Sequence, residues 1–335
     1  MNFPKLFAVL IYTLIATLFV PAQQTPRHPG IALYDQGKYS EAISSLERAV
    51  KQPEFKADAS LWNYLGLSQI EAGTTKSAVK SLAKAVSLSS GNLAYRVNLA
   101  YAYLRNRQVN RAQAETEAVI KVDPNFFAAH FIHGTANMWE RKFDLAIKDA
   151  DAVIAIDKTY ADAYILKASS KLAQLGSKQT DDDADVDLNT VALSEAVDVL
   201  RTGAAAVQKP SDKAKIDSEL ESMQAFYNYF DKQGRAAAGP PTAPGPNDVP
   251  LKIISKPRAS YTDSARQNGV QGNIRIAVLF GASGRIEYIL LIKGLGYGLD
   301  QNAIGAAKRI KFEPAKKDGK PVSVVKQIMY GFTIY

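Results

Sequence analysis

The sequence predicts an α-helical repeat solenoid followed by a small α+β domain with an antiparallel sheet and two helices. Small residues recur with a 34-residue period through the middle of the chain. A stretch from Gly234 to Pro250 with five prolines and three glycines ends that pattern. Beyond it, apolar residues change from helical to alternating spacing. The length of 335 residues suits about two domains. A 47% apolar and 22% charged composition is that of a folded chain rather than a disordered one.

The first element is a targeting segment. Met1 to Lys5 carries one positive charge, Leu6 to Val20 carries none, and Val20-Pro21-Ala22 sets small residues before a cut at Gln23. Residues 1–22 therefore read as a signal peptide. The alternative is an uncleaved inner-membrane anchor facing the periplasm, although the apolar run is shorter than the roughly 20 residues a bilayer span needs. The absence of cysteine removes disulfides, thiolate zinc sites, thiol nucleophiles and lipid attachment at an N-terminal cysteine. Only three histidines are present, so acid–base and metal chemistry lack their commonest side chain. The expectation is a periplasmic protein that is not an enzyme.

Residues 29–233 carry the repeats. Gly66, Ala100, Gly134 and Ala168 are spaced by 34 residues, as are Ala78, Ala112 and Ala146. One unit reads Trp62, Leu65, Gly66, then Ala78, Leu82 and Ala85; the next supplies Leu99, Ala100, Tyr103, Ala112, Val119 and Pro124. Small residues of this kind fall where two antiparallel helices approach closely. An earlier unit holds Gly30, Gly37, Ala42, Leu46 and Ala49. In the fifth unit, Ala196 and Leu200 arrive sixteen residues late, after an insertion containing the run Asp181 to Asp187. That run lacks the glycine and glutamate of a calcium loop, so it reads as a solvated loop before the next helix. Ile216, Leu220, Met223 and Tyr227 form one stripe of a capping helix. His130 and His133 have no third ligand in view and read as packing residues.

The spacing and side chains resemble the tetratricopeptide repeat, whose unit is a pair of antiparallel helices. The resemblance implies a concave face lined by first-helix residues, here Asn63, Tyr101, Arg105, Phe131 and Trp139. Such a groove suits an extended peptide or a partner helix.

Residues 234–250 are the linker, and residues 251–335 the second domain. Ile274, Ile276, Val278 and Phe280 alternate along one strand. Gly281 to Gly284 turn the chain, and Ile286, Tyr288, Leu290 and Ile292 alternate along the next. Leu299, Ala303, Ala306 and Ile310 have helical spacing, and a short helix covers Thr262 to Gln267. A last strand alternates from Val322 through Val324, Ile328, Tyr330 and Phe332 to Ile334. Each module has its own apolar pattern, so the two are expected to fold separately. Fourteen basic and five acidic residues give the second domain a charge of 14 − 5 = +9, against +8 for the whole chain.

Tyr261, Ala265-Arg266, Gly269, Gly272, Gly284, Leu299-Asp300, Phe312-x-Pro314-Ala315, Gly319-x-Pro321-Val322 and Phe332 resemble the C-terminal domain of TonB-family energy transducers. The resemblance implies a domain that captures a segment of an outer-membrane receptor as an added strand. The site would be Val322, Val324, Val325, Lys326, Gln327, Ile328, Tyr330 and Phe332. It also raises the alternative of a membrane-anchored energy transducer engaging an inner-membrane motor, which holds only if the N-terminal segment stays uncleaved. Leu6 to Val20 carries no ionisable side chain apart from Tyr12, and the family's long Pro-rich spacer is missing. Gly294-Leu295-Gly296-Tyr297-Gly298 is out of step with a dinucleotide-binding loop, so no cofactor is expected. Nucleic acid is not expected either, because stacking motifs are absent. The expected function is that of an exported envelope adaptor, accessory to transport, whose partner is an outer-membrane receptor or another periplasmic protein.

Overall fold

A computed structural model describes residues 28–176, 190–237, 245, 247–267 and 269–334. The signal segment, the Asp181 to Asp187 run and residues 238–244 of the linker lie outside the described residues. Helices come first: α1 (Pro29–Asp35), α2 (Tyr39–Ala49), α3 (Ala59–Glu71), α4 (Thr75–Leu88), α5 (Leu93–Arg105), α6 (Val109–Val122), α7 (Phe127–Trp139), α8 (Phe143–Ile156), α9 (Ala161–Gly176), α10 (Thr190–Ala206) and α11 (Pro210–Ala237). The described residues form two compact units, divided between Ala136 and Asn137.

In the first unit α3 and α5 begin where short polar side chains satisfy orphan N–H groups, whereas α2, α4 and α6 have no side-chain cap. Asp58 accepts from Ser60 and Leu61 at 2.8 and 3.1 Å, and Asn92 accepts from Tyr95 at 3.2 Å. The small-residue period has a steric origin. A Cβ added to Gly66 would lie 2.4 Å from Cγ of Leu82, so α3 and α4 meet at a distance only glycine permits. Ala78, Leu82 and Ala85 are fully buried opposite it. Two polar pairs lie inside: Asn98 donates to Asn63 at 2.8 Å, and Ser81 donates to Gln69 at 2.8 Å.

The second unit contains the last repeat helices and the whole of the β domain. Ala196 and Leu200 in α10 are fully buried, so the insertion delays the fifth repeat without abolishing its packing. Lys215 of the capping helix forms an ion pair with the buried Asp162 at the start of α9. Helix α11 runs through Gly234 to Ala237, into the stretch expected to be linker. The other end of that stretch is also tied down. Val249 exchanges two backbone hydrogen bonds with Lys316, at 2.9 and 2.8 Å, and Asp248 accepts from Asp318 N–H at 2.9 Å.

The β domain consists of β1 (Lys252–Ser255), α12 (Asp263–Gln267), β2 (Gly272–Phe280), β3 (Ile286–Lys293), α13 (Leu299–Ala307), β4 (Lys311–Glu313), β5 (Ala315–Lys317), β6 (Lys320–Val322) and β7 (Val324–Phe332). The main sheet has the order β3-β2-β7 and is antiparallel throughout; β1-β4 and β5-β6 form two small antiparallel pairs. The single final strand expected from Val322 onward is divided at Ser323, because Pro321-Val322 pairs back with Ala315-Lys316 in β6.

Strand β2 is buried on both faces. Ile274, Ile276, Val278 and Phe280 pack with α13, Phe312, Ile328, Tyr330 and Phe332. Ala277 and Leu279 instead join Tyr288 and Leu290 of β3 in a cluster with Leu172, Leu200, Ile216, Met223 and Phe226 of helices α9 to α11. The expectation of two separate cores is therefore corrected: the last repeat helices and one face of the sheet share a core. The alternation expected in β3 is corrected too. The register between Leu279↔Tyr288 and Phe280↔Ile286 shifts by one residue at Glu287, a bulge. Ile286 thus packs with the first cluster, and Tyr288 and Leu290 with the second.

A polar contact accompanies that apolar one. The Arg141 guanidinium, in the turn after α7, lies 4.0 Å from the Asp300 carboxylate, which also accepts from Leu295 and Gly296 N–H at 2.7 and 3.2 Å. A Cβ on Gly294 would lie 2.5 Å from both Arg141 and Asp300, which accounts for this glycine without a phosphate. Burial pushes the Asp300 carboxyl above its ordinary value, against the two backbone N–H groups and Arg141, which pull it down.

Candidate functional site

Strand β7 is an edge strand: β2 flanks it on one side, and no described strand flanks it on the other. The opposite edge, β3, lies in contact with helices α9 and α11. Each antiparallel strand residue directs its N–H and C=O to one side, and successive residues alternate. The direction in β7 follows from three contacts. Gly281 N–H bonds Arg285 across the β2–β3 turn at 2.8 Å, so odd-numbered residues at that end of β2 face β3 and even-numbered ones face β7. The β2–β7 register pairs even with even, as in Val278↔Lys326 and Ile276↔Ile328. Ile334 N–H reaches the Gln271 side chain on the β2 side at 3.3 Å. Val324, Lys326, Ile328, Tyr330 and Phe332 therefore spend their backbone groups on β2. Val325, Gln327, Met329 and Gly331 present theirs to the open side.

The side chains divide differently from the backbone. Ile328, Tyr330 and Phe332 are buried in the sheet core, at 5%, 5% and 2% exposure, and Val325 packs against the helical cluster. Tyr261 meets Phe332 edge to face with ring centroids 5.4 Å apart. Lys326 is exposed, and Met329 is 49% exposed. Of the eight residues expected to form the site, seven lie on β7, while Val322 belongs to β6 and pairs with Ala315. Met329 and Gly331 lie in the same span from Val322 to Phe332 but are not among those eight. They do not fit an apolar alternation, and only the backbone direction marks them.

Lys256 sits at this edge. Its ammonium donates to the Met329 carbonyl at 3.2 Å and lies 5.5 Å from the centre of the Tyr330 ring. Burial pushes the Tyr330 phenol up to about 12, against the pull of Arg309.

The expected repeat groove is corrected by burial. Asn63, Tyr101, Phe131 and Trp139 are 6%, 2%, 1% and 8% exposed, so these side chains pack inside the repeats. Of the five residues, Arg105 alone is partly exposed, and it donates to the Tyr101 hydroxyl at 2.8 Å. His130 is bonded to the Pro124 carbonyl and His133 faces Glu117. No cluster of three metal-ligating side chains occurs among the described residues.

Comparison with known families gives three matches. Residues 30–92 and 69–130 match tetratricopeptide repeat families. Residues 257–334 match the family described as the Gram-negative bacterial TonB protein C-terminal. The chain thus carries tetratricopeptide repeats followed by a TonB C-terminal domain, both of which are protein-interaction domains. Among solved structures it is similar to TTC0263, a thermophilic TPR protein of Thermus thermophilus, with 19% identity and a TM-score of 0.46 over 61% of this chain and 100% of that one. A MamA crystal structure has 17% identity and a TM-score of 0.45, over 58% and 99% of the two chains. Residues 41 to the end of MamA from Desulfovibrio magneticus RS-1 have 16% identity and a TM-score of 0.45, over 53% and 93%. No curated protein matches the chain.

Proposed function

We propose that this chain is an exported envelope adaptor, accessory to transport, that binds rather than catalyses. Its C-terminal domain captures an extended segment of an outer-membrane receptor or periplasmic protein as a fourth strand beside β7. The domain division proposed with it is repeats at 29–233 and the TonB-like domain at 251–335, joined by residues 234–250, whose start continues α11 and whose end is bonded to the β domain. The observation that carries the reading is the open side of β7, where Val325, Gln327, Met329 and Gly331 direct their backbone groups away from β2. Unpaired edge groups are what strand addition uses, and the backbone supplies affinity while alternate side chains select the partner. The match of residues 257–334 supports this placement. Export rests on the signal-like composition of the first 22 residues.

A photo-crosslinking side chain placed at Gln327 in cells tests the reading, with Arg201, an exposed residue of α10, as the control site. Position 327 is expected to trap an envelope protein that position 201 does not. The same product from both sites, or none from position 327, would overturn the proposal.

A further inference from the structure

We infer that Lys256 is a displaceable cap on the open edge of β7, and that the edge therefore selects an incoming strand with a carboxylate beside Met329. This rests on the strand-addition reading above and specifies its partner. Met329 belongs to the outward set, so an added strand must donate an N–H to its carbonyl, the oxygen that the Lys256 ammonium holds at 3.2 Å. A carbonyl oxygen has two lone pairs, but an added strand would crowd its own N–H and chain against the ammonium at this oxygen, so the lysine gives way. Displacing Lys256 breaks that hydrogen bond and removes the ammonium from its position 5.5 Å from the Tyr330 ring centre. It also leaves a positive charge next to the new strand.

A carboxylate on that strand gives the displaced ammonium a partner, which an amide or an apolar side chain does not. The wider field acts in the same direction. Residues 251–335 carry fourteen basic and five acidic side chains, 14 − 5 = +9, and Lys326 is exposed on the same strand. Unoccupied, the lysine serves a second purpose, because a charged side chain lying across an edge discourages pairing between copies. The preferred partner is an extended acidic segment.

Two synthetic peptides of about eight residues, alternating valine and threonine, identical but for a central glutamate or glutamine, are added in a millimolar series to the full chain. Amide hydrogen exchange across β7 is the readout. The glutamate peptide is expected to protect β7 at about fivefold lower concentration, the scale of one exposed ion pair. In Lys256→Met that preference should vanish, and the glutamine peptide should bind more tightly than to wild type because Met329 is uncovered. If both peptides protect β7 equally in both proteins, the lysine cap is wrong and strand addition stands. If neither peptide protects β7 in either protein, the capture reading falls with it.

Discussion

Leu279 offers a direct probe of the core that the repeats and the sheet share. It is 1% exposed in β2 and packs with Tyr288 and Leu290 against α9 to α11. Truncation to alanine leaves a cavity in a site closed on all sides, which costs about 2–5 kcal/mol. A larger perturbation is a fragment beginning at Leu251, which uncovers Leu279, Leu290 and Tyr288 together. At about 1.5–3 kcal/mol for each fully buried large apolar side chain, the two leucines alone lose about 3–6 kcal/mol, and the partly buried Tyr288 adds to that. That is the scale of the whole stability of a small domain, about 5–15 kcal/mol. The isolated fragment is therefore expected to lack a cooperative transition and to associate through the exposed face. In the full chain, Leu279→Ala should move the urea midpoint of the helical circular dichroism signal together with that of exchange-protected amides in β2. A fragment that unfolds sharply alone, combined with a Leu279→Ala chain whose helical midpoint is unchanged, would refute the shared core.

Other expectations follow from single contacts. Gly66→Ala forces a Cβ to within 2.4 Å of Leu82 and should cost about 1–3 kcal/mol, whereas Gly305→Ala in α13 meets open space and should stabilise by about 0.4–1 kcal/mol; thermal midpoints check both. Burial holds the Asp300 carboxyl above its ordinary 3.8 in the folded chain, so its contribution to stability is fully present below that pH and is lost as pH rises through the raised folded value. Arg141→Met removes the cation that opposes this rise, extends the loss to higher pH and should cost about 1–3 kcal/mol near neutrality, seen as a widening gap between the two proteins' denaturation midpoints above pH 4. N-terminal sequencing of fractionated material should find a chain beginning near Gln23 outside the membrane fraction; an intact Met1 in the inner membrane would contradict cleavage.

The repeats were legible because steric need recurs at a fixed interval: Gly66, Ala78 and Ala112 are small where helices touch, and the period displays them. The strands of the β domain were legible from alternation. What alternation concealed was the second face of β2, because Ala277 and Leu279 sit between the apolar residues already assigned to the core. The run from Ile274 to Phe280 is apolar except for Arg275, the pattern of a strand buried on both sides, and it carried the missing signal. The Glu287 bulge has no marker in composition, yet it exchanges the faces of Ile286 and Tyr288. The groove residues failed for another reason. A helix-lining position says which way a side chain points, not whether a neighbouring helix covers it, and Tyr101 and Phe131 are covered. Lys256 is about seventy residues from β7 in sequence, so no local pattern connects it to Met329.

The central claim is that the odd-numbered backbone groups of β7 capture a partner strand, and a pair of proline substitutions tests it most directly. Proline removes one N–H and fixes φ, so its effect depends on which side that N–H faces. Val325 presents its N–H to the open edge and Lys326 presents its own to β2. Val325→Pro is expected to leave the domain folded by circular dichroism and to abolish crosslinking from position 327. Lys326→Pro is expected to disrupt the β2–β7 ladder itself and lower the unfolding midpoint. A folded Val325→Pro chain that still captures the same partner as wild type would contradict capture at this edge.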